Sequence, residues 1–255
     1  MARPLILVSN DDGIDAPFLR RLVAVLTRTA EVHVAAPGGE RSWIAKAMSR
    51  HGDIVVDKAA GFPCPAWRVE GTPADCVNLA IGHLLPRKPD LVLSGINVGF
   101  NAGLPLILSS GTVAAALEGA LLGVPAAAFS LVLPPETFNR LKSDPEAMDP
   151  ETEQTLQASC ETAAEFAAEL AGSENPDTEV HNINFPFPYS RAHGIERTRP
   201  GRLNLGSLYR YASNDSFRFH FHLPPESPQE ALTDLACLQS GRASHSVLRF
   251  GSLGQ

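Results

Sequence analysis

The sequence is poor in the residues that build metal clusters, redox pairs and basic binding surfaces. Its 255 residues include only four widely spaced cysteines and no C-x-x-C pair, which argues against a zinc cluster and predicts reduced thiols. Basic residues number 21 against 28 acidic ones, so the formal net charge is −7. Such a surface is poorly suited to nucleic acid or anionic lipid, and we expect neither as a partner. Small phosphorylated ligands remain compatible, because backbone amides and one metal ion can bind a phosphate.

Charged residues are also scarce overall, at 19% against 44% hydrophobic residues, which excludes a disordered chain and supplies enough material for a core. Long hydrophobic runs are absent. The most apolar stretch, residues 113–133, is interrupted by an acid, two glycines and a proline, which favours a buried helix and strand over a membrane span. The apolar run at residues 5–8 is too short for a signal-peptide core, so we expect a cytoplasmic location.

Strand and helix patterns alternate over the first half of the chain. Short aliphatic or alternating runs predict strands at residues 5–8, 31–36, 53–57, 66–69, 91–93 and 125–130. Helical spacing predicts helices at residues 16–29, 73–85 and 112–122, the second with Thr72 as its N-cap. This alternation predicts a Rossmann-like, doubly wound α/β fold with a mostly parallel sheet.

The second half of the chain has a different pattern. The proline-rich residues 134–150 are predicted to form a loop, followed by a helix at 151–171 and a strand at 180–184. Beyond residue 202 aromatic residues alternate with polar ones, which predicts antiparallel hairpin strands; these residues are Tyr209, Tyr211, Phe217, Phe219 and Phe221. Such a hairpin needs a covering surface, either the core of the same chain or another subunit. We therefore expect a single domain with two parts. Residues 1–133 form the α/β catalytic core, and residues 134–255 continue that core and add C-terminal oligomerisation segments.

The first polar loop of the predicted sheet contains two adjacent acids. Asp11 and Asp12 follow the first strand and precede Gly13, which permits a tight turn. Adjacent carboxylates repel each other unless a cation neutralises them, and hard oxygen ligands suit Mg²⁺ or Mn²⁺. Alternatively, one aspartate caps the next helix and the other is solvated.

Residues 94–111 are predicted to form a loop, whose first part, the polar segment 94–103, contains three glycines and two asparagines. Its backbone can approach a ligand closely, although such a segment also suits a simple turn. Residues 109–112 then begin a helix, whose free amides and dipole would hold a phosphate. The hydroxyls of Ser110 and Thr112 also suit plain N-capping, which is compatible with phosphate binding.

Taken together, five motifs in order closely resemble the survival protein SurE family of 5'/3'-nucleotidases. They are SNDDG at 9–13, AP at 36–37 with ERS at 40–42, GTPADCV at 71–77, SGIN at 94–97 with Gly99 and Asn101, and SGTV at 110–113. Each motif alone is weak, but all five in this order are highly specific. Weaker echoes extend the resemblance almost to the end of the chain, among them Asn182 with Asn184 and Thr233 with Asp234.

The resemblance implies a phosphomonoesterase that hydrolyses nucleoside 5'-monophosphates, with 3' esters and short polyphosphates as further candidate substrates. It implies one divalent cation per subunit, Mg²⁺ or Mn²⁺, held by Asp11, Asp12, Ser42 and Asn97, of which the two aspartates are catalytic. The substrate's phosphate is expected to face Asn101, Ser110, Gly111 and Thr112. Relatives form dimers or tetramers through C-terminal segments, so we expect a homodimer or homotetramer in which residues 202–255 contribute much of the interface.

Three other classes of nucleotide-binding protein are compared with this interpretation. A Rossmann dehydrogenase is excluded because NDDG stands where G-x-G-x-x-G is required, and no P-loop motif occurs. A non-catalytic nucleotide-sensing module is the remaining alternative. His220 and His222 would share one face of a strand and bind a metal, or else lie on a solvated or interface face.

The sequence departs from the family pattern at Trp43. The family usually has glycine directly after the serine ligand, whereas here the indole of Trp43 follows Ser42. A bulky ring at this place would reshape the substrate pocket or stack on a base.

Overall fold

A computed structural model describes residues 3–144, 147–222 and 230–253 of the chain. Its strands are β1 (Leu5–Ser9), β2 (Glu31–Pro37), β3 (Val56–Lys58), β4 (Ala66–Val69), β5 (Leu91–Val98), β6 (Ala126–Leu131), β7 (Glu179–Phe185), β8 (Ile195–Thr198), β9 (Tyr209–Ser213), β10 (Ser216–Phe219) and β11 (Ala243–Arg249). Its α-helices are α1 (Pro17–Leu26), α2 (Pro73–Leu79), α3 (Leu104–Ser109), α4 (Gly111–Leu121), α5 (Pro135–Ser143), α6 (Pro150–Leu170) and α7 (Asp234–Gln239).

Within these described ranges, nine strands form one sheet in the order β3-β4-β2-β1-β5-β6-β7-β11-β8. In this order, the six neighbouring strands β4, β2, β1, β5, β6 and β7 pair in parallel. Antiparallel pairs lie towards the two edges, where β3 meets β4 and β11 meets β7. The predicted fold class, a doubly wound and mostly parallel α/β sheet, is confirmed. The sheet continues beyond residue 133, because β7, β8 and β11 all join it.

Two apolar layers cover the sheet. Alternate side chains of β1 enter opposite layers, as strand geometry requires: Ile6 and Val8 pack with the buried faces of α1 and α6, whereas Leu7 packs with those of α2 and α4. Each fully buried aliphatic side chain of this kind contributes about 1.5–3 kcal/mol relative to an exposed one. The rigid layers fix the ends of β1 and β5, from which the polar loops leave.

The N-terminus of α2 forms as the sequence predicts. The Thr72 hydroxyl accepts a hydrogen bond from the Asp75 N–H at 3.1 Å, and the Asp75 carboxylate accepts one from the Thr72 N–H at 2.9 Å. This reciprocal pair satisfies two N–H groups that the helix leaves open. The helix is shorter than predicted, because its α-helical part ends at Leu79 and a π-helical turn, Ala80–Leu84, follows.

Two segments predicted as loops are partly regular. Residues 134–150 contain α5, because Pro135 occupies the first helical turn, where a proline lacks only an N–H that the helix would not use. The predicted loop from residue 94 begins instead inside β5, which continues to Val98 and pairs Asn97 with Ser130 across an irregular register. Gly95 permits this irregularity, since a Cβ there would lie 2.4 Å from the Phe129 carbonyl oxygen. Residues 104–109 of the same predicted loop form α3.

The predicted aromatic hairpin is present as β9 and β10, which pair antiparallel in a separate two-stranded sheet. Tyr209, Tyr211 and Phe217 are 60–65% exposed on it. In the described part of the chain, no helix combines the length and apolar character needed to cross a membrane. Residues 113–133, the most apolar stretch, form α4 and β6.

Candidate active site and metal centre

The candidate site lies where β1 and β5 end side by side. From β1 the chain passes through α1 to β2 on one side, and it reaches β5 on the other side only later. The gap between β1 and β5 is therefore a switch point of the sheet, where open α/β proteins bind ligands. Asp11 and Asp12 follow β1 at this gap, and Asn97 lies near the end of β5.

Asp11 is buried and held from two directions. The Thr112 hydroxyl donates a hydrogen bond to its Oδ1 at 2.6 Å, and its carbonyl oxygen accepts one from the Arg41 N–H at 2.7 Å. Burial raises the pKa of Asp11 to about 6, while hydrogen bonding from Thr112 acts in the opposite direction. The carboxylate is fixed in position, and its charge is only partly compensated.

Asp12 lies beside it, partly exposed to the cavity. Its Oδ2 accepts a hydrogen bond from the Val98 N–H at 3.1 Å, which ties the loop after β1 to the end of β5. Burial, and next the charge of Asp11, raise the pKa of Asp12 well above its usual value. Among the described residues, neither carboxylate has an ion-pair partner.

This donor set fits a hard divalent cation. Two neighbouring carboxylates, which have no cationic partner in the part of the chain that the structure describes, share one cavity with Ser42 and Asn97. Oxygen donors of these kinds suit Mg²⁺ and Mn²⁺. The oxygen donors that share the cavity are two carboxylates and two neutral groups, and in the described ranges no three His, Cys, Asp or Glu side chains cluster for a metal.

The segment from Glu40 to Ala45 forms the next wall. The exposed Ser42 hydroxyl donates a hydrogen bond to Glu40 Oε1 at 2.9 Å. The segment is fastened at both ends, because the Arg41 N–H binds the Asp11 carbonyl and the Ala45 N–H binds the Ser109 carbonyl at 3.1 Å.

Residues 110–112 begin α4 against the aspartates. Ser110 is the N-cap, since its Oγ accepts a hydrogen bond from the Val113 N–H at 3.1 Å. Gly111 permits close approach, because a Cβ there would lie 2.7 Å from the Cβ of Asp11. Gly111 and Thr112 occupy first-turn positions, whose N–H groups have no carbonyl partner within the helix. The Thr112 hydroxyl, however, donates its hydrogen bond to Asp11 and does not point to the place expected for a phosphate.

Asn101 is buried and held by residues far along the chain. Its N–H donates to Asn184 Oδ1 at 2.7 Å, and its Nδ2 donates to Ser130 Oγ at 2.9 Å. The backbone carbonyl oxygen of Asn101 accepts a hydrogen bond from Asn182 Nδ2 at 2.8 Å. Strands β6 and β7 thereby fix the loop that follows β5.

These groups surround one cavity of about 1210 Å³. Its polar lining includes Asp11, Asp12, Ser42, Asn97, Asn101 and Ser110. Its aromatic lining includes Phe18, Trp43, Phe100, Phe138, Phe219 and Phe221. The cavity therefore combines a carboxylate centre and a helix N-terminus with a broad apolar surface, an arrangement suited to a ligand with a phosphate and a ring.

The comparisons with known proteins agree with this geometry. The family model described as "Survival protein SurE" matches residues 6–207. This chain belongs to the SurE family. Similar curated proteins include "5'-nucleotidase SurE" of Alkalilimnicola ehrlichii, 40% identical over 94% of this chain and 86% of that protein. Another is "5'-nucleotidase SurE 1" of Thermus thermophilus, 42% identical over 76% of this chain and 70% of that protein. A solved structure, of the SurE protein from Aquifex aeolicus, aligns with a TM-score of 0.74 and 26% identity over 99% of this chain and 95% of that one.

The backbone at Trp43 and nearby has an uncommon conformation. Trp43 has a φ of 61° and Ala45 a φ of 52°, both in the left-handed region. Glycine adopts that region freely, whereas a bulky residue is uncommon there.

Sequence reasoning missed residues that support the SurE site from a distance. Asp234 accepts hydrogen bonds from the Gly103 N–H at 2.9 Å and the Gly201 N–H at 2.7 Å, so α7 holds the end of the loop after β5. The Thr233-Asp234 echo was visible in the sequence, but its partners lie 131 and 33 residues away.

The two histidines predicted to share one face of a strand do not lie in a strand. His220 and His222 follow β10, which ends at Phe219, and their rings stack at 5.6 Å. His222 lines the cavity of the SurE site. Residue 223, which the sequence places in the same strand, lies outside the described residues.

Proposed function

We propose that this chain hydrolyses nucleoside 5'-monophosphates to nucleoside and phosphate, and that it depends on a divalent cation, Mg²⁺ or Mn²⁺. The observation that carries the proposal is the Asp11–Asp12 pair, which lacks a cationic partner among the described residues and faces the N-terminus of α4. Relatives similar over most of this chain are named 5'-nucleotidase SurE, which supports the same activity here and disfavours a non-catalytic sensor.

We assign the site residues as follows. One cation per subunit would be held by Asp11, Asp12, Ser42 and Asn97, which line the same cavity. The substrate's phosphate lies against Asn101 and the first turn of α4, residues Ser110, Gly111 and Thr112. Helix N-termini bind phosphate because their free N–H groups and dipole favour negative charge.

Hydrolysis requires water to attack phosphorus while the bond to the 5' oxygen breaks and that oxygen gains a proton. A divalent cation held by these residues would supply positive charge for the phosphoryl group and would make water easier to deprotonate. The chain supplies orientation: Thr112 holds Asp11, Val98 holds Asp12, and Ser110 caps the helix that faces the phosphate. N–H groups of the α4 terminus stabilise the charge that develops on the phosphoryl oxygens.

Phosphate release from a panel of nucleotides, assayed with several divalent metals, tests the proposal. We expect release from nucleoside 5'-monophosphates, complete loss with excess chelator, and recovery when Mg²⁺ or Mn²⁺ is added. Full activity after dialysis against EDTA would overturn the metal assignment. Nucleotide binding without release under every metal condition would instead establish a sensor. Adding 3' esters and short polyphosphates to the panel defines the range of substrates.

We also propose that the chain forms a homodimer or homotetramer through the hairpin of β9 and β10. Two-stranded sheets are marginal alone, and this one exposes Tyr209, Tyr211 and Phe217. Light scattering is expected to give at least twice the mass of one chain, and a lower mass for a variant lacking residues 206–223. A single-chain mass for the intact protein at micromolar concentration would contradict the assembly. The four free thiols support a cytoplasmic location, because reducing compartments keep cysteines unpaired.

A further inference from the structure

An aromatic cluster stands on one side of the cavity, opposite in character to the carboxylates. The ring of Trp43 lies 5.1 Å from that of Phe219 and 5.1 Å from that of Phe221, with interplanar angles of 62° and 56°. All three side chains line the cavity that contains Asp11 and Asp12. Phe219 remains 42% exposed and Phe221 37% exposed, so the cluster presents apolar ring surface to the cavity.

The backbone holds Trp43 in a conformation that its side chain disfavours. Its φ of 61° is left-handed, where a Cβ crowds the following carbonyl. Such conformations persist where surrounding structure imposes them, and they cluster at ligand sites. Here the hydrogen bonds from the Arg41 N–H to the Asp11 carbonyl and from the Ala45 N–H to the Ser109 carbonyl fix the chain on both sides of Trp43. Arg41, two residues before Trp43, donates its N–H hydrogen bond to the carbonyl oxygen of Asp11 itself. This contact sets the indole at a defined place relative to the carboxylates.

The rest of the hairpin supplies a contrast. Tyr211 and Phe217 form an edge-to-face pair with ring centres 5.9 Å apart, yet neither lines the cavity. The aromatic character of the hairpin therefore has two parts, an outer pair and an inner pair that reaches Trp43. Tyr209 packs edge-on against Phe219 at 6.0 Å, but of the tyrosines and phenylalanines of this segment only Phe219 and Phe221 line the cavity.

We propose that Trp43, with Phe219 and Phe221, forms the nucleobase site of this enzyme and favours purine over pyrimidine nucleoside monophosphates. The inference rests on the proposed phosphohydrolase function and deepens it. Planar bases stack on aromatic side chains whatever their hydrogen-bonding pattern, and a bicyclic purine offers more ring area than a pyrimidine. A cavity of about 1210 Å³ accommodates the base, the ribose and the phosphate together.

A substrate comparison separates base recognition from chemistry. Adenosine 5'-monophosphate, cytidine 5'-monophosphate and ribose 5-phosphate share a phosphate ester but differ in the base. For the unmodified protein we expect kcat/KM to fall in that order. In Trp43→Gly, which relieves the left-handed backbone, the ratio of kcat/KM for the adenosine ester to that for ribose 5-phosphate is expected to fall about tenfold or more. Trp43→Phe should restore much of the ratio, because it restores a ring.

Phe217→Ala is the matched control, since it removes an aromatic ring from the same hairpin outside the cavity. It should leave the ratio unchanged. An equal fall of activity on all three esters in Trp43→Gly would overturn the base site and assign the indole a structural role. Equal kcat/KM values for the three esters in the unmodified protein would overturn it while leaving the phosphohydrolase intact. Failure to hydrolyse any of the three would reject the proposed function, and the base site with it.

Fluorescence gives a second readout that needs neither turnover nor metal. The chain has two tryptophans, and Trp67 lies on β4, stacked against His33 at 5.7 Å. In Trp67→Phe, Trp43 is the sole indole, and adenosine is expected to quench its emission saturably whereas ribose 5-phosphate is not. Equal responses to the two probes, or no response to adenosine at concentrations that inhibit hydrolysis, would contradict stacking on Trp43.

Discussion

The two sides of the cavity are built in different ways. On the polar side, Asp11 and Asp12 accept hydrogen bonds from elements distant in sequence and Asn101 donates one to such an element, and Asp11 and Asn101 are buried. On the aromatic side, Phe219 and Phe221 keep more than a third of their surface exposed and meet Trp43 through ring contacts alone.

The difference follows from what each side must do. Charge stabilisation depends steeply on distance and is strongest where donors are fixed before the substrate arrives, which requires the dense hydrogen bonding seen around Asp11. Stacking on a ring tolerates small shifts, because its energy depends on overlap area. Substitutions on the aromatic side are therefore expected to alter the substrate range, and substitutions on the polar side to abolish the reaction.

The largest expected effect comes from the polar side. Asp12→Asn removes one charge without removing volume. We expect activity to fall at least about 100-fold, because losing a proposed metal ligand should cost more than losing a residue that only orients a ligand. The fold should be retained, because the substitution relieves repulsion between two neighbouring carboxylates. Phosphate release and thermal unfolding measure the two effects separately.

Two controls sharpen this result. Asp15→Asn removes an exposed carboxylate that pairs with Arg20 and Arg68 outside the cavity lining, and it should leave activity unchanged. His222→Ala, at the aromatic side, should cost less than Asp12→Asn. An inactive His222→Ala beside an active Asp12→Asn would mean that the site has been misplaced.

A smaller effect is expected from Thr112, which positions Asp11. Thr112→Val keeps the shape but removes the hydroxyl that donates to Asp11, so the metal concentration for half-maximal activity should rise about 10- to 100-fold. Thr112→Ser should restore it. Thr162→Val removes a buried hydroxyl that contacts Tyr189 on another face of the sheet, and it should leave metal dependence unaltered. A fall in activity that saturating metal does not correct would contradict the positioning role.

The smallest effect lies outside both sides of the cavity. The rings of His181 and His245 stack on β7 and β11, with Phe166 edge-on to both and Arg197 nearby. Burial, then the charges of His181 and Arg197, lower the pKa of His245 to about 3. Between pH 6.5 and 3 the unfolded chain therefore binds a proton that the folded chain rejects, so acidification favours unfolding.

Urea unfolding at pH 7 and pH 5 measures this contribution. The unmodified protein should lose about 1 kcal/mol more than His245→Gln between the two values, after allowance for partial exposure of the ring. Activity at pH 7 should be unchanged, since His245 does not line the cavity. Identical pH dependence in the two proteins would contradict the shifted pKa.

The parallel core was predictable because its signals are local. The aliphatic run of β1, the capped start of α2 and the interrupted apolar stretch of α4 and β6 each reveal their structure within a few residues. The loop predicted at 134–150 is wrong for Pro135–Ser143, because Pro135 lies at a helix start, where proline is tolerated and does not break the helix.

The connections around the site were less visible. Nothing near Asn101 indicates that Asn184 would hold its N–H, and nothing near Gly103 indicates Asp234. The placement of Trp43 against Phe219 and Phe221 likewise depends on segments more than 170 residues apart. Patterns in one sequence report secondary structure, whereas such contacts depend on how the sheet and its C-terminal elements assemble.

The Asp234 anchor has a consequence for the order of events during synthesis. The loop that carries Asn101 is translated well before β7, and α7 follows only near the end of the chain, because Asp234 is 131 residues beyond Gly103. A ribosome-bound chain that has completed only β1 to β6 thus still lacks two of the clamps on the loop that carries Asn101, one from β7 and one from α7. Domains fold from the N-terminus as they emerge, so this protein gains its catalytic competence among the last steps of its own production.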